Sequence, residues 1–131
     1  RGARLLCGGA LEGALVPPTL LTDVPRACEV SCQEVFGPVM SIEAFDHVDE
    51  AIARVNSTPY GLASGFFTNR LDFAMRAVRK LHVGGVHINE TSSSRVDLMP
   101  YGGTKDSGFG REGPRYAIHE MSEMRMVSLT A

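Results

Sequence analysis

Two amphipathic helix patterns, each set between segments of strand periodicity, leave this chain few architectures to choose from. Val39–Phe45 alternates apolar with small or polar residues, as a strand does, and Val48, Ala51, Ile52 and Val55 then recur at i, i+3, i+4 and i+7, the spacing of one helix face. Asp46 is a candidate N-cap, with Asp49 in the first turn, where an acid complements the helix dipole. Ser57-Thr58-Pro59 ends the pattern, because proline disfavours helix in the residue before it. Leu62–Thr68 again reads as strand. Asn69 is a second candidate N-cap, with Asp72 at the capping-box spacing, ahead of an apolar stripe of Phe73, Ala74, Ala77, Val78 and Leu81 that Gly84-Gly85 closes. Val86–Asn89 has the character of a buried strand, and Pro114 suits the first position of a short helix to about Met121. Further strands are expected at residues 3–7, over Thr19–Val24 and over Met124–Leu129. Strand, helix, strand, helix, strand predicts an α/β fold, a parallel-type sheet with flanking helices and crossover connections. The final strand has no evident partner within the chain, and unpaired strand edges recruit other chains.

At 131 residues the chain has the length of one compact domain. Its 44% hydrophobic and 21% charged residues exclude global disorder. Lys plus Arg is 13 and Asp plus Glu is 15, a net charge of −2, and with a pI near 6.1 no nucleic-acid partner is expected. No apolar run approaches the roughly 18 residues that span a bilayer, so no membrane partner is expected either. Cys7, Cys28 and Cys32 are too few, and odd in number, for a disulfide framework, which fits a reducing, cytoplasmic setting. Cys28 and Cys32 with His47 match no strong zinc spacing and lack a fourth ligand, so no metal is expected. The start Arg1-Gly2-Ala3 carries no signal-peptide pattern and is what a processed or excised piece would show.

No nucleophile elbow, P-loop or GxGxxG fingerprint occurs, yet two segments are specialised. In Gln33-Glu34-Val35-Phe36-Gly37-Pro38 an acid and an aromatic stand two apart, so in extended chain both face one side. A carboxylate placed so accepts hydrogen bonds from two sugar hydroxyls while the ring packs on a flat heterocycle; the spacing suits equally an exposed Glu34 with Phe36 in the core. The second segment, Met99–Gly113, has five glycines in fifteen residues, which permits close backbone approach or a plain flexible loop. It lies in a long connection, residues 90–113, of the kind that is usually functional or disordered.

Taken together and in order, E-V-F-G-P, N-S-T-P-Y-G-L-A-S-G-F-F-T, G-G-V-H-I-N and P-Y-G-G-T-K-D-S-G-F-G-R-E-G closely resemble the aldehyde dehydrogenase superfamily, and R-L-L-C-G-G and P-P-T-L-L-T-D-V fit the same pattern. The resemblance runs from about Gly2 to the end. It implies oxidation of an aldehyde to a carboxylic acid with NAD or NADP, through a cysteine thioester that glutamate-activated water hydrolyses. By the same resemblance Glu34 holds the nicotinamide ribose hydroxyls and Phe36 packs beside the nicotinamide. Asn89 is an orienting group at a strand end near the active site, and Tyr101 lines the substrate tunnel. Glu112 matches a proton-relay glutamate of part of the family; a salt-bridged carboxylate at a helix start is the other reading. The family's nucleophile, main general base and dinucleotide-binding domain lie N-terminal to the matched segment, so none of Cys7, Cys28 and Cys32 is the nucleophile by position. The resemblance thus implies part of a catalytic domain over residues 1–121 and an oligomerisation strand over 122–131 that joins a neighbouring subunit's sheet. Two other classes stay open: a non-catalytic fragment or oligomerisation module, and a piece of a superfamily relative that reduces acyl phosphates or acyl-CoA.

Arg95, in Ser92-Ser93-Ser94-Arg95-Val96-Asp97, falls in the loop that shapes the family's substrate entrance. A guanidinium binds carboxylate or phosphonate through a two-point fork, so a small anionic aldehyde is one reading of this arginine. A local ion pair, with Asp97 or another acid, is the alternative.

Overall fold

A computed structural model describes residues 2–131. The chain divides into two compact units, the first ending at Glu50 and the second covering Ala51–Ala131.

In the first unit β1 (Arg4–Cys7), β2 (Thr19–Thr22) and β3 (Val39–Ile42) form one sheet in that order, with β1 antiparallel and β3 parallel to β2. The short helix α1 (Glu29–Cys32) lies in the crossover between the parallel strands. Both longer strands expected here stop early, and for one reason. Asp23 adopts a left-handed φ of 54°, which ends the extended course of β2, and β3 then has no partner beyond Thr22↔Ile42. At Gly8, φ is 77° and an added Cβ would run into the Pro18 carbonyl, so only glycine fits where β1 turns back toward β2. Thr19 seals this corner: its Oγ1 accepts the Gly9 amide at 3.1 Å and donates to the Pro17 carbonyl at 2.9 Å.

Helix α2 (Val48–Asn56) carries the division between the units. It begins one residue later than an Asp46 cap would have it, with Asp49 and Glu50 in its first turn, and Ile52 is its buried residue. In the second unit β5 (Ala63–Phe66) pairs in parallel with β6 (Gly85–Ile88), and α3 (Leu71–Lys80) joins them, a β-α-β crossover. The expected strand from Leu62 instead breaks there: β4 (Tyr60–Gly61) turns its ladder to β7 (Thr104–Lys105), antiparallel, while β5 turns to β6. The parallel pairs therefore occur in two small sheets beside a third antiparallel one, within the mixed α/β class that the periodicity predicts.

Helix α3 corrects two expectations about its ends. Its N-cap is Arg70, not Asn69, and no side chain caps it. The Arg70 amide donates to Thr68 Oγ1 at 3.1 Å, and the guanidinium makes a two-point pair with Asp72 while lying 3.8 Å over the Phe73 ring. The helix ends at Lys80, before Gly84-Gly85, because Asn56 takes over its last groups: Nδ2 donates to the Lys80 carbonyl at 2.7 Å and Oδ1 accepts the His82 amide at 2.8 Å. Ala74, Ala77 and Leu81 are buried as the stripe predicts, whereas Val78 is half exposed. A Cβ at Gly84 would overlap the Gly102 carbonyl, so glycine here lets the long 90–113 connection lie against the start of β6.

Helix α4 (Pro114–Glu120) starts on proline, as expected. The expected strand Met124–Leu129 does not form; residues 122–131 carry no regular structure and are exposed throughout. A strand is stabilised by its ladder, and no partner strand meets this segment among the described residues. Among those residues no helix is long and apolar enough to cross a membrane.

Candidate functional site

The first unit contributes Glu34 and Phe36. Two successive short-range bonds fold their segment: the Gly37 amide donates to the Val35 carbonyl and the Val39 amide to the Gly37 carbonyl, both at 2.8 Å, the closure of tight three-residue turns. The Thr19 amide donates to the Pro38 carbonyl at 2.8 Å, which ties the turn to the start of β2. Glu34 is exposed, and Phe36, at the head of the first turn, is 92% exposed. Of the two readings open on spacing alone, a core formed by the described residues does not hold Phe36. A phenyl ring held in water on a fixed turn leaves its apolar surface unburied. The residues present fit a nicotinamide nucleoside: a carboxylate offers acceptors for two hydroxyls, and an uncovered ring offers a face to a flat heterocycle.

The second unit brings together Arg95, Tyr101 and Glu112, which lie far apart in the long connection. Tyr101 and Glu112 form an isolated antiparallel bridge, the Tyr101 amide donating to the Glu112 carbonyl at 3.2 Å and the Glu112 amide to the Tyr101 carbonyl at 2.6 Å. Arg95 lies over the Tyr101 ring, 4.6 Å from its centroid, and its Nη2 donates to Glu112 Oε2 at 3.0 Å. Arg95 therefore pairs with Glu112, seventeen residues away, and not with Asp97. Both partners are open to solvent, with 45% and 64% of their side chains exposed.

Asn89 follows β6 directly, with φ at 57°, a left-handed conformation that asparagine tolerates better than most residues. Its amide donates to the Phe66 carbonyl at 2.9 Å and its Oδ1 accepts the Thr68 amide at 2.7 Å. The oxygen is thereby committed to the backbone, which also fixes which end of the amide is which. Its Nδ2 meets no acceptor among the described residues, so a donor is presented from the carboxyl end of a parallel strand. That end is where α/β sheets commonly bind ligands.

Residue-by-residue reading of the sequence missed the node that holds the glycine-rich connection. Lys105 Nζ donates to the carbonyls of Asn56 and Thr58 at 3.0 Å each and of Tyr60 at 3.2 Å. Ser107 Oγ accepts the Gly61 amide at 2.9 Å, and Thr104 Oγ1 donates to the His82 carbonyl at 3.2 Å. The signal was present in the polar residues of N-S-T-P-Y-G and T-K-D-S, two motifs distant in sequence. Among the described residues no group of three or more His, Cys, Asp or Glu gathers as metal ligands.

The profile described as "Aldehyde dehydrogenase family" matches residues 1–127. The 3-sulfolactaldehyde dehydrogenase of Priestia aryabhattai is 52% identical over 128 residues, covering 98% of this chain and 27% of the relative. Among solved structures, aldehyde dehydrogenase 21 from Physcomitrella patens, in complex with the reaction product succinate, superposes with a TM-score of 0.88 at 44% identity, covering 92% of this chain and 25% of that one. Glyceraldehyde-3-phosphate dehydrogenase from Methanocaldococcus jannaschii, complexed with NADP, gives a TM-score of 0.86 at 44% identity over 93% of this chain and 26% of the other. The chain spans about a quarter of the length of the relatives it matches.

Proposed function

The chain belongs to the aldehyde dehydrogenase family, and from that membership we propose that it forms part of an enzyme that oxidises an aldehyde to a carboxylic acid with NAD or NADP. In this reading Glu34 holds the ribose hydroxyls of the nicotinamide nucleoside and Phe36 covers one side of its ring. When bound, that coenzyme takes up hydride from the substrate. Asn89 orients the reacting carbonyl oxygen through Nδ2, Tyr101 walls the substrate path, and Glu112 relays a proton. The nucleophilic cysteine and the principal base glutamate belong to the remainder of the enzyme, with residues 1–121 as part of the catalytic domain. The arm over 122–131 pairs with a second subunit. Its exposed Met124, Met126, Val127 and Leu129 support that role, since a stretch of this apolar character is stabilised by adding to a sheet edge. The free thiols of Cys7, Cys28 and Cys32 support a reducing, cytoplasmic setting.

Arg95 selects the aldehyde. A guanidinium stacked on Tyr101 and open to solvent is suited to a carboxylate, sulfonate or phosphate at the far end of a short substrate. The names of the relatives, one acting on 3-sulfolactaldehyde and one carrying succinate, support an anionic substrate class.

The observation that carries the coenzyme assignment is the uncovered ring of Phe36 on a turn tied to the start of β2. In the full enzyme, aldehyde-dependent formation of the reduced coenzyme tests the activity. Titration of the coenzyme into Phe36→Ala and Glu34→Ala tests the assignment. Glu34→Ala is expected to bind it at least about tenfold more weakly, the range of one lost charge-assisted bond, and Phe36→Ala about two- to tenfold more weakly, the range of one ring face. Unchanged affinity in both would remove these residues from the coenzyme site.

A further inference from the structure

Arg95 uses only a small part of its binding capacity. A guanidinium carries five N–H donors in a fixed fork, and here one of them, on Nη2, meets Glu112 Oε2 at 3.0 Å while no other protein acceptor meets the rest among the described residues. The plane of the fork is held by the Tyr101 ring 4.6 Å away. The backbone of Glu112 is locked to Tyr101 by the two bonds of their bridge, so ring, guanidinium and the root of the carboxylate form one assembly. The carboxylate itself stands open to solvent, with 64% of the side chain exposed. An exposed one-point ion pair contributes little, whereas a planar oxyanion that engages the fork at two points is held better.

We propose that Glu112 is a displaceable internal counter-ion of Arg95, standing in the seat that the anionic group of the substrate takes. This rests on the reading above that Arg95 and Tyr101 border the substrate path. An aldehyde that bears a carboxylate, sulfonate or phosphate exchanges with Glu112 on the guanidinium, one anion for another, and the displaced carboxylate, still ionised, turns to solvent. A neutral aldehyde makes no such exchange and leaves Glu112 paired. Glu112 is therefore released only when a charged substrate is seated, and until then it competes with that substrate for Arg95.

The test uses the full enzyme and two probes of equal chain length, 4-oxobutanoate and butanal, with butanedioate as a ligand that cannot react. Glu112→Gln keeps the backbone bridge and removes the competing charge. Butanedioate measured by calorimetry is expected to bind this variant about three- to fivefold more tightly than wild type, the scale of one exposed ion pair. The KM for 4-oxobutanoate is expected to fall by a similar factor relative to that for butanal. In Arg95→Ala the second change, Glu112→Gln, is expected to have no effect on butanedioate. Glu112→Ala reads the same exchange should the glutamine variant fail to fold. Unchanged or weaker butanedioate binding in the Glu112 variants overturns the exchange, as does an equal fall in both KM values. Loss of all aldehyde oxidation by wild type would instead sink the proposed activity, and the calorimetric comparison would still decide the exchange.

Discussion

The side-chain oxygen of Asn89 accepts the Thr68 amide at 2.7 Å, so a residue just past β6 closes the end of the strand parallel to it, β5. The backbone of Asn89 adds a second tie to Phe66 at 2.9 Å and sits at a φ of 57°. Asn89→Ala loses the side-chain bond and puts a Cβ without a local hydrogen bond into the left-handed region, which together cost about 1–2 kcal/mol. Asn89→Gly loses the bond but adopts that φ without strain, so it is expected to be the milder change. Urea unfolding midpoints of the two variants check this order.

Lys105 gathers three carbonyls, from the end of α2, the turn after it and β4, onto one ammonium. Lys105→Met keeps the aliphatic stem and removes the donors, with an expected loss of about 2–3 kcal/mol for carbonyls left without a charged partner. Lys105→Arg is expected to restore little, since a planar fork cannot point at three carbonyls arranged around a single nitrogen. Thermal unfolding measures the loss. Faster amide hydrogen exchange at Gly61 would place it at the β4–β7 pair.

Asp72 makes stability depend on acid. Its carboxyl is held below its ordinary value first by the hydrogen bond from the Arg70 guanidinium, with the attraction of that charge adding to it and partial desolvation opposing. A carboxyl whose folded value is depressed contributes stability that is present above the unfolded value of about 3.9 and is lost as the pH falls through the folded one. More than half of each side chain is exposed, so the effect is small. Stability measured between about pH 5 and pH 2 is expected to fall less steeply in Asp72→Asn than in wild type. Parallel curves would show that the pair contributes nothing.

Removal of residues 122–131 tests the arm. These residues form no element within the chain and expose Met124 and Leu129 almost completely, at 95% and 93%. Deletion is expected to leave the unfolding midpoint of the protomer nearly unchanged and to lower the assembly state of the enzyme, read by light scattering. An unchanged assembly would mean that another surface joins the subunits.

The alternation of strand and helix, the buried stripe of α3 and the proline start of α4 were legible in the sequence, because each is written in residues within one or two turns of one another. The candidate site residues came from a family pattern and not from chemistry, and nothing in the spacing of Arg95, Tyr101 and Glu112 says that they meet. Local pattern also misjudged the ends of elements. Asn69 has the composition of a cap, yet Arg70 occupies that position with its guanidinium on Asp72. Gly84-Gly85 has the composition of a helix stop, yet Asn56 ends α3 from another helix.

What the residues determined unaided is therefore whatever depends on near neighbours: which segments prefer an extended or a helical backbone, which face is apolar, and where only glycine or proline fits. The folded chain alone decided the partners. Arg95 with Glu112, Lys105 with Asn56 and Asn89 with Thr68 are separated by 17, 49 and 21 residues, and such hydrogen bonds need donor and acceptor within about 3 Å in the right direction. Periodicity carries no information about that distance. It emerges once the sheets and helices have packed, and residues 122–131, whatever their apolar character, join no ladder among the described residues.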